Sequence, residues 1–204
     1  MMRADSPQCV LTAAIRAAAS ASSPACVLDT RGAYLFANEA WLAIAAEHGT
    51  LRAESLVGSS VLDGLDGEDV RRSWQEALDD VLSGTAPSRS IAGEHNTTTL
   101  ARLTSTRVEP IVSTHGVLGV VLVRSVVRER PISDLYVVSR RPGDAYEHVD
   151  GRVTQCPCCR RARDRADPTA WEIVPRWIAA PPPSARWITC DLCAELHLAP
   201  TRAA

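Results

Sequence analysis

Apolar positions set the outline of the chain. Over Pro7 to Ala21, Val10, Ala14, Ala17 and Ala18 recur at helical spacing, which predicts an N-terminal helix over residues 1–20 with a stripe of small side chains. From Pro24 the period shortens. In "PACVLDTRGAYLF" two apolar runs flank Asp29-Thr30-Arg31-Gly32, a stretch with the chemistry of a tight hairpin turn. Asn38 precedes "EAWLAIAAEHG", read as a helix with Asn38 as N-cap, Trp41, Leu42 and Ala45 inward, and Gly49 as the stop. A second helix covers "VRRSWQEALDDVLSG", where Val70, Trp74, Leu78, Val81 and Leu82 share a face, Asp66 or Asp69 is the cap and Gly84 the end. Three strands come next, at Ser88 to Ala92, Thr97 to Val108 and Val117 to Val127. The last is continuous and Val-rich, as expected of a central strand.

This order and its wording resemble the PAS fold. "VLDTRGAYLFANEAWLAIA" matches a pattern of hydrophobic-Asp-x-x-Gly-x-hydrophobic-x-x-x-Asn, "VLSG" closes the long helix, and "RVEP" precedes "GVLGVVLVRSVV". The resemblance covers residues 21–128. It implies an α+β domain, a five-stranded antiparallel sheet with a helical face enclosing a small cavity, and a sensing role with a ligand of unknown identity. The Asp-Ile-Thr tripeptide that often ends the last strand of the family, and helps couple the domain to the next segment of the chain, stands here as Ser125-Val126-Val127. Residues 129–150, with Pro131, Pro142 and Gly143, read as a linker holding one short strand, "LYVV". The long heptad helix through which PAS domains drive kinases is missing from it.

The remaining residues, 151–204, concentrate the chemistry. Five of the seven cysteines lie in "CPCC" from Cys156 and "CDLC" from Cys190. Two thiolates must reach one ion at about 2.3 Å, and a Cys-x-x-Cys turn aims both at a common point. Cys156, Cys159, Cys190 and Cys193 are therefore the expected ligands of a structural zinc ion, with "AELHL" beginning a short helix after the last of them. Cys158 is expected to point away, because adjacent cysteines do not easily bind one ion; the alternative is a redox-exchangeable thiol. His197 is a substitute ligand only, and solvated loop or helix-end positions are expected for His48, His95 and His115. Cys26 is expected to be buried as a small apolar residue. The segment also resembles a small cysteine module found behind PAS domains in bacterial signalling proteins, Cys-x-x-Cys-[Arg/Lys]-[Arg/Lys]-x-Arg, a Trp, then Cys-x-x-Cys, with Arg160, Arg161, Arg163 and Trp171 in place. That likeness implies a zinc-ribbon-like or treble-clef-like unit.

Charge narrows the function. The chain carries 22 basic and 24 acidic side chains, all the basic ones Arg, and residues 151–204 hold 8 Arg against 5 acidic residues. That bias is too mild for a dedicated nucleic-acid binder. Arg160, Arg161 and Arg163 are expected to balance the thiolates, and Trp171, Trp177 and Trp187 to fill a small core. No apolar run is long enough to span a bilayer. No acid, base and nucleophile are grouped outside the cysteines, so no catalytic residue is assigned and an enzyme is not expected. The reading is a cytoplasmic, non-catalytic signalling protein: a PAS domain joined to a structural zinc module that contacts a protein partner, homodimeric through the N-terminal helix. The alternatives are a thiol switch that releases zinc at CPCC/CDLC, and a nucleic-acid-binding regulator using the module's Arg and Trp residues.

Overall fold

The computed structural model describes residues 6–47, 56–141 and 143–195. The chain divides into two compact units. The first comprises Met1–Leu65, Arg72–Ile91 and Ser105–Ser125, the second Asp66–Arg71, Ala92–Thr104 and Val126–Ala204. Three strands run from one unit into the other.

The sheet that begins in the first unit has five strands: β1 (Ala25–Asp29), β2 (Tyr34–Ala37), β3 (Arg89–Glu94), β4 (Leu100–Ser113) and β5 (Gly116–Pro131). Their spatial order is β2-β1-β5-β4-β3. With helices intervening between β2 and β3, this is the α+β, PAS-like architecture that the sequence resemblance implied. β1 sits between β2 and β5, antiparallel to both, with Cys26 opposite Leu122. Ala25 to Leu28 are buried on both faces of the sheet, and Cys26 is among them, as expected. At Gly119, opposite Asp29, any Cβ would lie 2.1 Å from the Leu28 carbonyl oxygen, so the two backbones meet where only glycine fits.

Helix α1 (Pro7–Ser20) starts with Ser6 accepting the Cys9 N–H and with Pro7 at its first position. It covers one face of this sheet. Ala18 packs with Ala25, Val27 and Ile111, and Val10, Ala14 and Ile15 join the same cluster. The small-residue stripe expected to meet a second helix is thus turned largely onto the chain's own sheet; Ala17 is exposed.

Helices α2 (Glu39–Glu47) and α3 (Glu68–Leu82) bury Trp41 and Ala45, and Trp74, Ala77, Leu78 and Val81, respectively. Leu42 and Val70 are only half-buried, and Gly49 lies outside the described residues. Because α3 begins at Glu68, Gly67 precedes it in the capping position. Asp66, one of the two expected caps, lies one residue further out and pairs with Arg160, and Asp69 falls inside the helix. The β4–β5 hairpin is longer than the apolar pattern predicts, reaching Ser113 on one arm and Pro131 on the other. His95, expected to be a solvated loop residue, is buried just after β3, where its N–H donates to the Arg102 carbonyl.

The second unit carries a small sheet of its own, order β8-β7-β6-β9, from β6 (Val153–Gln155), β7 (Ala162–Arg163), β8 (Trp171–Glu172) and β9 (Ala185–Trp187). Tyr146, Val153, Ala162, Val174 and Trp177 form one core there, and Ala101, Ile132, Ile173 and Ile178 another. Segment 129–150 therefore supplies Ile132 and Tyr146 to packed interiors.

Asn38 is the polar junction of the first unit. Its Oδ1 accepts from the N–H groups of Ala25 (3.0 Å) and Trp41 (2.9 Å), and its Nδ2 faces the carbonyls of Ala18, Ala21 and Ser23 at 2.9 to 3.2 Å. One buried amide thus joins the end of α1, the start of β1 and the first turn of α2. Asn38→Ala strands these groups away from water, at about 1–3 kcal/mol for each unsatisfied partner. A loss of about 3 kcal/mol in denaturant titration is expected. Asn38→Asp, which keeps the acceptors and loses the donors, should fall between wild type and Ala.

Candidate metal centre

Parallel pairing of β6 with β9 brings the two cysteine pairs together. Gln155 lies opposite Trp187, so both strands run in one direction and deliver Cys156 and, three residues after Trp187, Cys190 to the same end of the sheet. The first pair sits in the turn between β6 and β7. It is closed by Cys156 N–H to Arg161 carbonyl (2.8 Å) and Arg160 N–H to Cys156 carbonyl (3.0 Å). Arg160 comes directly after the second cysteine with φ 63°, in the left-handed region. The second pair brackets a helical turn, α5 (Asp191–Cys193), with Cys190 at its N-cap position and Ala194 N–H donating to the Cys190 carbonyl. Helical geometry therefore begins before the last cysteine rather than after it.

The sulfurs of Cys156, Cys159, Cys190 and Cys193 all lie within 4.8 Å of one another, and all four residues are buried. The Sγ atoms of Cys159 and Cys190 are 3.8 Å apart. Four sulfurs at about 2.3 Å from one tetrahedral ion stand about 3.8 Å from each other. The four cysteines thus form a cluster that could hold a metal ion. Cys158, expected to point away, instead turns its thiol toward the cluster, hydrogen-bonded with Cys156 and Cys193, and is half-buried, although it is not one of the four mutually close sulfurs. His197 and His48 lie outside the described residues, and His115 is exposed in the β4–β5 turn.

Charge around the sulfurs is arranged unevenly. Hydrogen bonds from Cys158 and the other cluster thiols hold Cys156 well below the ordinary thiol range, while bonds with Cys156 and Cys158 push Cys193 up. Arg161 donates from Nε to Cys159 Sγ (3.2 Å) and from an Nη to Cys190 Sγ (2.9 Å). Burial disfavours its charge, yet the adjacent Cys159 and Cys190 more than offset this and raise its pKa. Of the three arginines expected to balance the thiolates, only Arg161 has such bonds. Arg160 is buried, its guanidinium 2.8 Å from an Asp66 carboxylate oxygen and over the Trp187 ring, and Arg163 lies over Trp171. Of the tryptophans, Trp177 is in the core, whereas Trp171 and Trp187 are half-buried under these guanidiniums.

Residues far away in sequence complete the surroundings. Asn96 Nδ2 donates to the Cys159 carbonyl (3.0 Å) and to Glu94 Oε2 (3.0 Å), which also accepts from the Tyr136 hydroxyl (2.7 Å). Cys193 Sγ is 3.9 Å from the other Glu94 oxygen. Arg161 stacks over the Tyr136 ring, and burial together with Glu94 raises the Tyr136 pKa. Gly67, with φ +80°, meets Pro157 so closely that a Cβ would lie 2.7 Å from its Cγ. Neither spacing nor motif distinguishes Glu94, Asn96, Tyr136 or Gly67 in the sequence. Their role depends on the fold alone.

No protein-family model matches the sequence, and no curated protein matches it. Among solved structures, the chain is similar to the PAS domain of BvgS from Bordetella pertussis, at 16% identity and TM-score 0.49 over 59% of this chain and 88% of that one. It is similar to a chain of the phage VqmA–DPO complex at 16% identity and TM-score 0.47, over 59% of this chain and 54% of that one. Likeness to a PAS domain from Colwellia psychrerythraea is at 14% identity and TM-score 0.42, covering 58% and 97%. The chain thus spans about half the length of the phage protein. Among the described residues no helix is long and apolar enough to cross a membrane.

Burial orders the reactivity of the thiols. Cys156, Cys159, Cys190 and Cys193 are at most 1% exposed, while Cys158 is half-buried. Under limiting iodoacetamide, peptide mass spectrometry should find Cys158 modified first among these five. Equal labelling at Cys190 or Cys193 would show that the cluster opens readily.

Proposed function

We propose that the chain is a non-catalytic cytoplasmic sensor in which a PAS-like domain is coupled to a zinc-bound module that contacts a protein partner. Cys156, Cys159, Cys190 and Cys193 hold the zinc. The four-sulfur set supports this because it fills a tetrahedral shell with protein ligands and leaves no position for water or substrate, the pattern of structural sites. Thiolate ligands also suit zinc better than harder cations that prefer oxygen.

The observation that carries the reading is the path of β3. This strand of the five-stranded sheet belongs to the first unit up to Ile91, and its far end, Glu94 with Asn96 just beyond, touches the cysteine cluster through Cys159 and Cys193. A ligand-dependent change in the sheet therefore has a covalent and hydrogen-bonded route to the module, in place of the signalling helix the sequence lacks. Such a ligand acts by favouring one of two populated arrangements of that strand end. The Arg160, Arg161 and Arg163 side chains are engaged with Asp66, the thiols and Trp rings, which favours a protein partner over nucleic acid.

Protein purified without added zinc should contain one zinc per chain by elemental analysis. Cys190→Ser and Cys159→Ser should lose it and render 151–195 protease-sensitive, while Cys158→Ser should keep it. Metal-free protein with a protease-resistant C-terminal region would overturn the zinc assignment. Equal loss in the Cys158 and Cys159 variants would favour the redox reading.

Coupling has its own test. Asn96→Ala removes the bond to the Cys159 carbonyl and should speed hydrogen exchange at 156–161 several-fold while leaving α1 and β1 unchanged. Unaltered exchange there would remove the proposed route.

A further inference from the structure

The four sulfurs of the cluster differ in what surrounds them. Arg161 donates from Nε to Cys159 Sγ at 3.2 Å and from an Nη to Cys190 Sγ at 2.9 Å. It therefore holds one sulfur from each Cys-x-x-Cys pair. Among the described residues no side-chain N–H reaches Cys156 or Cys193. The N–H that meets Cys156 Sγ is the backbone one of Cys190, at 3.5 Å, and Cys193 Sγ lies 3.9 Å from a Glu94 carboxylate oxygen. Cys158, the half-buried fifth thiol, is hydrogen-bonded with these same two cysteines.

The guanidinium is placed from outside the cluster as well. Its Cζ lies 4.8 Å from the centre of the Tyr136 ring, and the Tyr136 hydroxyl donates to Glu94 Oε2 at 2.7 Å. Asn96 Nδ2 donates to that same Glu94 oxygen and to the Cys159 carbonyl, at 3.0 Å each. The series of contacts thus leaves Cys159 at its sulfur and returns to it at its carbonyl. The Arg161 backbone is fixed separately, its carbonyl accepting the Cys156 N–H at 2.8 Å. That bond does not depend on the side chain, so the turn keeps it when the guanidinium is removed.

We infer that Arg161 is a positioning residue that retains the metal: it ties the two cysteine pairs together through Cys159 and Cys190, and the sulfurs without a guanidinium, Cys156 and Cys193, form the half that opens first. The inference rests on the zinc reading and adds how that same site keeps and releases its ion. Hydrogen bonds to an ionised sulfur are charge-assisted, and a planar fork of donors spans two acceptors where an ammonium acts as a point charge. Four thiolates around a divalent ion leave a net charge of about −2, and a cation beside two of them offsets part of their repulsion. Partners of this kind behind metal ligands contribute about 10–100-fold in metal affinity. The neighbouring arginines are engaged elsewhere, Arg160 with Asp66 and Trp187 and Arg163 over Trp171.

The test follows zinc transfer from the full-length, zinc-loaded protein to excess chromogenic chelator at constant pH and ionic strength. Arg161→Gln should release zinc about ten-fold faster than wild type or more. Arg161→Lys, which keeps the charge without the fork, should fall between, and Arg163→Gln should match wild type. In cobalt-substituted protein the sulfur-to-metal charge-transfer band should move in Arg161→Gln and stay in place in Arg163→Gln, a shift that a merely structural role would not produce. An iodoacetamide pulse early in release from wild type, read by peptide mass spectrometry, should label Cys156 and Cys193 ahead of Cys159 and Cys190. An unchanged rate in Arg161→Gln, a wild-type rate in Arg161→Lys, equal acceleration in Arg163→Gln, or first labelling at Cys159 or Cys190 each overturns the inference. If Arg161→Gln does not fold, the labelling order in wild type decides alone. Wild type that carries no zinc overturns the zinc assignment and this inference together, whereas zinc-loaded wild type with any of the adverse outcomes above overturns this inference only.

Discussion

Four sulfurs held within 4.8 Å in a buried pocket concentrate negative charge wherever their protons are lost to a metal. Much of the second unit answers to that constraint. Arg161 reaches two of the sulfurs and lies over the ring of Tyr136, whose hydroxyl is tied to Glu94. Arg160 is directed away by its left-handed backbone, over Trp187 and toward Asp66 at the start of α3. A non-glycine residue in that conformation costs about 1–2 kcal/mol, and the cation–π contact and ion pair offset it. A turn of the cysteine knuckle thereby also anchors the chain just ahead of α3.

The same constraint explains why the second unit recruits residues from the middle of the chain. The cysteine segment is only some 50 residues long, and a domain that small buries too little surface to be stable alone. Ala101 from β4 and Ile132 after β5 enter one of its cores, while Glu94 and Asn96 complete the cluster's polar surroundings. Stability of the module is thus tied to strands that also belong to the five-stranded sheet. A covalent boundary near residue 128 or 150 does not describe how the contacts divide, because residues 92–104 fall with the module.

Elements with a strong local signal were legible in the sequence. The β1–β2 turn, the Asn38 cap, the apolar face of α3 and the central position of β5 arise from periodicity and turn chemistry, and the cysteine set arises from ligand spacing. Features decided by tertiary contact were not. Asp66 has the composition of a helix cap but is taken by a buried guanidinium. His95 reads as a loop histidine, yet it is buried. The stripe on α1 suits another helix as well as a sheet, and small side chains alone do not distinguish the two.

The geometry of β3 restricts how a change in the sheet can pass along it. Sliding the strand by one residue would turn every side chain to the opposite face, exposing Ile91 and breaking the contacts of Glu94 and Asn96 together. A change in strand tilt or in the order of the strand end is smaller, and it acts directly on the bond from Asn96 to the Cys159 carbonyl.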